Sequence, residues 1–482
     1  MFKLSPLTAA ILVIVSAQSM ADDSLSSQSQ FGTANIADVK QSQAPFSSAV
    51  QQQYGQGNDG AAVQDTASST IDQYQAGDYN AGYAEQLFEN TSTITQQQQG
   101  ALNIAHASQS IGAGGNVVLQ VQQGTGNFSF VYQDSQDASN GKTWQFGDGN
   151  EANIEQIYPG VGNNAFIIQY GTGNYGTAEQ LLHNAGRIDI NQAGEGNYGY
   201  GDQRNGLGGS ITVNQGGDYN GSEVWQDSQE ASQVNIGQYG QSNETVVDQS
   251  FGENNQAQVL QVGDLNAIYA DQYESVSSTL GLYQQGTGNL HFTYQTGDNH
   301  VLSATSVGND NKVYASNWKG PQSGGQFGSS QRATVSQVGS GNVANFTQDG
   351  VAQLMTTVQT GSGNKTTVNQ ADSYNELYFE QNGSDNLLVA DQRGTGNLIQ
   401  GSSNGSGNSS EFDQSGDGNQ AFTAQLYGSD NQISVKQADS QNVAYVTQGG
   451  TGNIATVDQS GTTQMATVQQ FGSANQASVL QQ

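Results

Sequence analysis

Residues 337–348 read QVGSGNVANFTQ, and this stretch indicates the fold. Side chains alternate between the two faces of a β-strand, so a strand over 342–348 places Asn342, Ala344, Phe346 and Gln348 on one face. That face is small or apolar in the middle and carries an amide at each end. Nearly the same pattern returns eleven residues later as QDGVAQLMTTVQ, and then again as QTGSGNKTTVNQ. The stretch is therefore one copy of a repeat.

The repeat has the form Q-x-G-x-x-N followed by five residues and a closing Gln that opens the next copy. In the C-terminal part its glycine position recurs every eleven residues, as from Gly328 to Gly339 and Gly350. In the N-terminal part the strong copies recur at about twice that interval, as at Gly240 and Gly263, with an amide-poorer strand between them. One structural unit thus has two arms of about eleven residues each.

An eleven-residue period is also typical of a right-handed coiled coil. Here a helix is excluded, because nearly every copy carries a glycine, and each glycine costs a helix about 1 kcal/mol. The inward residues also alternate with a period of two, as in Asn431, Ile433, Val435 and Gln437. The pattern predicts strands of six or seven residues joined by turns of four or five residues. The glycine is expected in the turn, because glycine adopts positive φ at little energetic cost.

The predicted fold is all-β: a β-solenoid, or cross-β stack, of two-arm strand–turn–strand rungs built from 22–23-residue (2 × 11) repeats. At about 4.8 Å per rung, the chain makes about 20 rungs. Stacking places each Asn above the preceding Asn and each Gln above the preceding Gln, so their amides form ladders. The predicted ladder and assembly residues are Gln238, Asn243, Gln249, Gln261, Asn266, Gln272, Gln337, Asn342, Gln348, Gln359, Asn364, Gln370, Gln448, Asn453, Gln459, Gln470, Asn475 and Gln481. The predicted turn glycines are Gly240, Gly263, Gly339, Gly361, Gly450 and Gly472.

Composition and charge exclude several classes of function. Only 11% of the 482 residues are charged, and the formal net charge is −31, which opposes binding to nucleic acid or to an anionic membrane. The chain contains no cysteine, which excludes disulfides and thiol chemistry. The dispersed acidic residues favour a role in solubility and mutual repulsion.

The first 21 residues have the pattern of a secretory signal, with Lys3 before an apolar stretch and a small-x-small site ending at Ala21. An exported product is expected, and no later segment is apolar for long enough to span a membrane. The predicted divisions are a signal peptide at 1–21, an N-terminal segment with one motif copy at 22–45, a 22–24-residue repeat array at 46–317, a Pro/Gly boundary at 318–325, and an eleven-residue repeat array at 326–482.

The copy that runs from Ser232 through Gln238, Gly240, Asn243 and Thr245 to Gln249 resembles the repeat of curlins, the subunits of bacterial curli fibres. A second copy, with Ser92, Gln98, Gly100, Asn103, Ala105 and Gln109, resembles it equally. The resemblance implies a secreted subunit of an extracellular functional amyloid that serves surface adhesion and the biofilm matrix. It also implies export through an outer-membrane curli channel and seeding by a surface nucleator. The chain departs from the short curlins in having several times their number of repeats and, in its second half, the full motif on both arms.

Three function classes are compared. The first is a self-assembling fibre subunit (a homopolymer), favoured because the motif continues to Gln482 without a capping segment. The second is a monomeric β-solenoid that binds a surface or a glycan as an adhesin, and a curli nucleator is a further alternative. The third is an enzyme, since some β-solenoids are polysaccharide lyases. The histidines (His106, His183, His291 and His300) lack metal-ligand spacing, and the glycines do not form phosphate loops. The sequence therefore predicts no catalytic residues, no metal and no cofactor.

Overall fold

The computed structural model describes residues 23–112, 114–316 and 324–482, so the predicted signal peptide lies outside the described residues. The chain divides into two compact units, Met1–Glu195 and Gly196–Gln482. All regular secondary structure in the described residues is β-strand.

In the first unit, the strands of the two arms alternate along the chain, and each arm builds its own parallel sheet. The strands are β1 (Leu25–Thr33), β2 (Ile36–Ser42), β3 (Ser48–Gln56), β4 (Asp59–Asp65), β5 (Ser68–Asp78), β6 (Ala81–Leu87), β7 (Asn90–Ala101), β8 (Ile104–Ser110), β9 (Val117–Thr125), β10 (Phe128–Asp134), β11 (Gln136–Asp137), β12 (Asn140–Asp148), β13 (Glu151–Ile157), β14 (Gly160–Val161), β15 (Asn164–Thr172), β16 (Tyr175–Leu181) and β17 (Arg187–Glu195). The first sheet contains β1, β3, β5, β7, β9, β12, β15 and β17. The second contains β2, β4, β6, β8, β10, β13 and β16, while β11 and β14 form a short pair.

The second unit repeats this arrangement. Its strands are β18 (Tyr198–Arg204), β19 (Ser210–Asp218), β20 (Gly221–Glu230), β21 (Gln233–Gln241), β22 (Glu244–Glu253), β23 (Gln256–Asp264), β24 (Ala267–Val276), β25 (Thr279–Thr287), β26 (Leu290–Asp298), β27 (Val301–Asn309), β28 (Lys312–Ala315), β29 (Gly325–Ser329), β30 (Arg332–Ser340), β31 (Val343–Val351), β32 (Leu354–Ser362), β33 (Lys365–Ser373), β34 (Glu376–Ser384), β35 (Leu387–Thr395), β36 (Leu398–Ser406), β37 (Ser409–Asp417), β38 (Gln420–Ser429), β39 (Gln432–Ser440), β40 (Val443–Thr451), β41 (Ile454–Thr462), β42 (Met465–Ser473) and β43 (Gln476–Gln481). The first sheet runs from β19 to β42 and the second from β18 to β43.

Partners in neighbouring rungs are mostly one full two-arm repeat apart along the chain, and the register pairs like with like. Gln238 lies opposite Gln261, and Gly263 lies opposite Gly286. Parallel strands that pair at this regular interval make each unit a β-solenoid, which confirms the predicted fold class.

Each rung has a thin core between its two arms. In β31, Ala344, Phe346 and Gln348 are buried, while the alternate residues are partly exposed. Asn342, in the connection before the strand, is also buried. The amides at both ends of this strip therefore lie inside the rung, together with the apolar residues between them.

Many strands are longer than predicted, because the repeat glycine continues the sheet. β21 spans nine residues and includes Gly240, and only Ser242 and Asn243 separate it from β22. The prediction of six- or seven-residue strands with four- or five-residue turns is wrong for these arms. The chain bends at glycine, but the glycine stays paired with its counterpart in the next rung, as Gly263 does with Gly286.

The predicted boundary at 318–325 lies mostly outside the described residues. On either side of it, β28 and β29 pair with successive halves of β26 and then of β31. The two short strands thus occupy one level of the second sheet. Across this level the offset between partners in the first sheet is longer than one repeat, with Val301 opposite Arg332.

Candidate assembly site: the amide ladders

A column of glutamines runs inside each arm. Gln238 Nε2 donates to Gln261 Oε1 at 2.9 Å, and Gln261 Nε2 donates to Gln284 Oε1 at 2.9 Å. In the other arm, Gln249 donates to Gln272 at 2.7 Å, and Gln272 donates to Gln295 at 2.9 Å. Each amide thus donates towards the C-terminal neighbour and accepts from the N-terminal one, so the column has a direction.

The remaining predicted glutamines form the same contacts further along the second unit. In the first sheet, Gln337 donates to Gln359, Gln359 to Gln381, and Gln448 to Gln470, at 2.9–3.0 Å. In the second sheet, Gln348 donates to Gln370, Gln370 to Gln392, and Gln459 to Gln481, at 2.7–2.8 Å. Gln481 is only half-buried.

The glutamines also tie the two arms together. The Nε2 of Gln238 donates a second bond to the Gly221 carbonyl of the opposite sheet at 2.9 Å, and Gln448 Nε2 does the same to the Gln432 carbonyl at 2.9 Å. One amide hydrogen therefore bonds to the next rung and the other to the opposite arm. A buried amide costs roughly 1–3 kcal/mol when it is unpaired, and here the ladder pairs it.

The predicted asparagines form a second kind of ladder at the corner between the arms. Asn266 Nδ2 donates back to Asn243 Oδ1 at 3.0 Å, and the backbone N–H of Asn266 donates to the same oxygen at 3.2 Å. Asn243 Nδ2 also donates forward to the Gly263 carbonyl at 2.7 Å. The corresponding side-chain bonds join Asn342 to Asn311, Asn364 to Asn342, Asn453 to Asn431 and Asn475 to Asn453, at 2.8–3.1 Å. All the predicted asparagines are buried except Asn475, which is exposed.

The repeat glycines lie too close to the next rung to carry a side chain. A Cβ on Gly240 or Gly263 would lie 2.1 Å from the carbonyl oxygen of the next glycine, and on Gly450 only 1.8 Å from that of Gly472. Gly339 and Gly361 are equally restricted, at 1.9 and 2.0 Å, whereas Gly472 meets only Asn475 Nδ2, at 3.6 Å. All six have φ between +109° and +123°. Positive φ was the predicted reason for glycine, and close stacking of rungs is a second one.

At two ladder positions another residue replaces the repeat amide: Ser306 replaces a glutamine, and His300 replaces an asparagine. Ser306 takes a glutamine position, and its hydroxyl donates to Gln337 Oε1 at 2.8 Å. Across the core, His291 Nε2 lies 2.8 Å from Ser306 Oγ. Because the hydroxyl proton goes to Gln337, Nε2 of His291 carries the hydrogen of this contact. Burial lowers the pKa of His291 to about 3, so the ring is neutral.

His300 occupies the corner position of an asparagine. Its Nδ1 accepts from the Gln331 backbone N–H at 3.3 Å, as an asparagine Oδ1 does elsewhere, and its Nε2 lies 3.0 Å from the Thr296 carbonyl. Burial lowers the pKa of this imidazole. His300 thus makes the contacts of a ladder residue.

A third ladder was missed by sequence reasoning. In the first unit Gln28, Gln51, Gln73, Gln96 and Gln120 donate in turn, each to the next, at 2.7–2.9 Å. The opposite arm makes room with glycine: a Cβ on Gly60 or Gly82 would lie 3.1–3.4 Å from these and the neighbouring glutamine amides. The signal was present as a Q-x-Q pair that recurs with the repeat and faces a small residue on the second arm: Gly60, Gly82, Ala105 or Ser129.

Metal sites and membrane-spanning helices were not found among the described residues. They contain no group of three or more His, Cys, Asp or Glu that could hold a metal ion. Within the same part of the chain, no helix is long and apolar enough to cross a membrane. The arrangement that recurs in both units is the set of ladders.

The model of the curlin associated repeat matches residues 411–438. This stretch covers most of β37, all of β38 and most of β39. It includes the ladder glutamines Gln414 and Gln437 and the corner residues Asn419 and Asn431. The chain contains a curlin-type repeat. A comparison with curated proteins found none that matches this chain. The family match and the ladder geometry therefore concern the same structural unit.

Proposed function

We propose that this protein is a structural subunit that assembles into an extracellular, curli-like amyloid fibre. The observation that carries the proposal is the direction of the glutamine ladders. Gln261 accepts from Gln238 on one side and donates to Gln284 on the other, so a rung satisfies its amides only between two neighbours.

A stack of such rungs has complementary ends. At one end the glutamine amides lack the ladder acceptor that a further rung would supply, and at the other end the amide oxygens lack the ladder donor. The backbone of a terminal parallel strand has the same requirement, because half of its N–H and C=O groups point to the missing strand. A second copy of the chain can supply the missing donors and acceptors at either end, and repeated addition of copies gives an open filament.

The role proposed is structural rather than catalytic, because the buried polar groups are used in holding rungs together. By similarity to curlins, the fibre is secreted to the cell surface and contributes to adhesion and the biofilm matrix. An outer-membrane curli export channel and a surface nucleator are the corresponding proposed partners, besides the chain itself.

Fibre diffraction on aged protein comprising residues 22–482 tests the proposal. Reflections at about 4.7 Å and about 10 Å, together with seeded growth from monomer, are expected for a cross-β fibre. Protein that remains monomeric on size-exclusion chromatography after days at high concentration, with or without seeds, would contradict the proposal and favour a monomeric adhesin.

A further inference from the structure

A groove of about 400 Å³ lies on the outer face of the second sheet of the second unit. Its lining consists of Asp202, Arg204, Trp225, Gln226, Asp227, Asp248 and Ser250. This volume is within the range of small-molecule sites. The lining side chains other than that of the buried Gln226 point away from the core, so the ladders do not use them.

The register places the lining in two adjacent columns. Trp225 lies between Asp202 and Asp248 in the first column. In the second, Asp227 lies between Arg204 and Ser250. The indole is half-buried, and the Tyr200 ring packs beside it with centroids 6.0 Å apart and planes at 54°. An aromatic ring is thus held in place, with polar groups around it.

The polar groups are oriented by contacts among themselves. Arg204 Nε donates to Asp202 Oδ1 at 2.9 Å, and Ser250 Oγ donates to Asp248 Oδ1 at 2.5 Å. Asp227 Oδ1 accepts from Asn205 Nδ2 at 3.1 Å. A ligand in the groove would meet a guanidinium as donor, carboxylates as acceptors and a hydroxyl that can be either.

This mixture of groups selects between ligand classes. An organic cation would gain from the indole face and the carboxylates, but Arg204 places a positive charge in the same groove. A carboxylated or sulfated ligand would be repelled by Asp227 and Asp248. A neutral polyhydroxy ligand can use donors and acceptors together, and the C–H face of a pyranose ring can pack on an aromatic side chain.

We propose that the Trp225 groove binds a neutral saccharide, with the sugar ring packed on the indole and its hydroxyls bonded to Asp227, Asp248 and Arg204. The groove faces sideways, whereas rungs stack through the strand edges. Binding is therefore compatible with a fibre and does not depend on fibre formation.

Isothermal titration calorimetry on soluble protein tests this, with cellotetraose and maltotetraose as neutral probes and tetragalacturonate as an anionic probe. At least one neutral tetrasaccharide should bind, and tetragalacturonate should bind at least about tenfold more weakly. Trp225→Ala should weaken binding of the neutral probe by about tenfold or more, since an aromatic contact is lost. Asp248→Asn should weaken it as well, because one acceptor becomes a donor.

Trp144→Ala is the matched control, because Trp144 also points outward from a strand, in the first unit, where it packs on Phe166. It should leave binding unchanged. Circular dichroism of the variants checks that the fold is retained. Absence of binding by both neutral probes, binding that survives Trp225→Ala, or preferential binding of spermidine would each overturn the proposal.

Discussion

The carbonyl oxygen of Gly263 lies 2.1 Å from the point where a Cβ on Gly240 would be. The two residues are equivalent positions of successive rungs, and both have positive φ. With this backbone conformation, Gly240 can stack on Gly263 at the spacing of a β-sheet only because it has no side chain. The glycine thus sets how closely the solenoid packs.

Gly240→Ala should therefore destabilise the second unit strongly. The backbone conformation alone costs roughly 1–3 kcal/mol for a non-glycine residue, and the contact with the Gly263 carbonyl adds to it. Gly221→Ala is the control, because a Cβ there has no atom within 4 Å and φ is not positive. The midpoint of guanidinium unfolding should fall for Gly240→Ala and stay nearly unchanged for Gly221→Ala. Equal midpoints would mean that the corner relaxes without cost.

The ladder residues should matter more than their outward neighbours. Replacing Gln448 and Asn453 by Leu removes the acceptor of Gln425 Nε2 and the donors to Gln470 Oε1 and the Gly472 carbonyl. Each buried group left unpaired costs roughly 1–3 kcal/mol. Fibre assembly followed by turbidity and seeded growth should be slower in this variant than in the wild type.

The control for that variant is Thr447→Leu with Thr451→Leu, two outward positions on the same strand. This control keeps the number of added leucines equal. Equal lag times for the two double variants would show that the inward amides do not govern assembly.

Much of this architecture follows from the sequence because its causes are local and periodic. The alternation in Ala344, Phe346 and Gln348 predicts an inward face, and the repeat length predicts which residues stack. The length of each strand could not be predicted from the sequence, since it depends on whether the repeat glycine pairs with its counterpart in the next rung. The third ladder, which includes Gln73, was missed because Gly82 on the opposite arm leaves the room for its side chains, and no local pattern reveals this contact. The Trp225 groove depends on the register of three different strands and on outward residues that vary between rungs.

Asp271 should make the stability of the second unit depend on pH. It is 6% exposed, stacks on Asp248, and its Oδ1 has no hydrogen-bond partner. Burial, with the charge of Asp248, raises its pKa to about 7 from 3.8. Between these values the folded state holds a proton that the unfolded state has released, so stability is lost as pH rises from about 4 through 7.

Asp271→Asn removes this titration and should raise stability at pH 8, on the order of 2–4 kcal/mol, with little effect at pH 4. Unfolding midpoints at the two pH values measure the difference. Asp458→Asn, at an outward position in β41, is the control for replacing a carboxylate by an amide. A gain of equal size at pH 4 and pH 8 would assign the effect to packing instead of ionisation.

Two buried histidines should make the folded protein less stable at low pH, which is the opposite of the pH dependence expected from Asp271. Burial lowers the pKa of His183 to about 4 and that of His291 to about 3, from 6.5. Below pH 6.5 the unfolded state binds protons that the folded state does not, so stability falls as pH falls from 6.5 towards 4. His291→Gln should reduce the loss of stability between pH 7 and pH 4.5, measured by denaturant midpoints. An unchanged loss would show that His291 protonates without unfolding its surroundings.

The net charge of −31 should control the rate of assembly. Each added copy brings more carboxylates into the same stack, where like charges repel unless they are screened. Lowering pH towards the isoelectric point of about 4.1 protonates carboxylates, and salt at 0.1 M shortens the screening length to about 10 Å. Either change should shorten the assembly lag, measured by turbidity with equal protein concentrations. Salt is the cleaner variable, because it leaves the protonation of Asp271 and the buried histidines nearly unchanged. A lag that is longest near pH 4–5 and insensitive to salt would show that charge does not limit assembly.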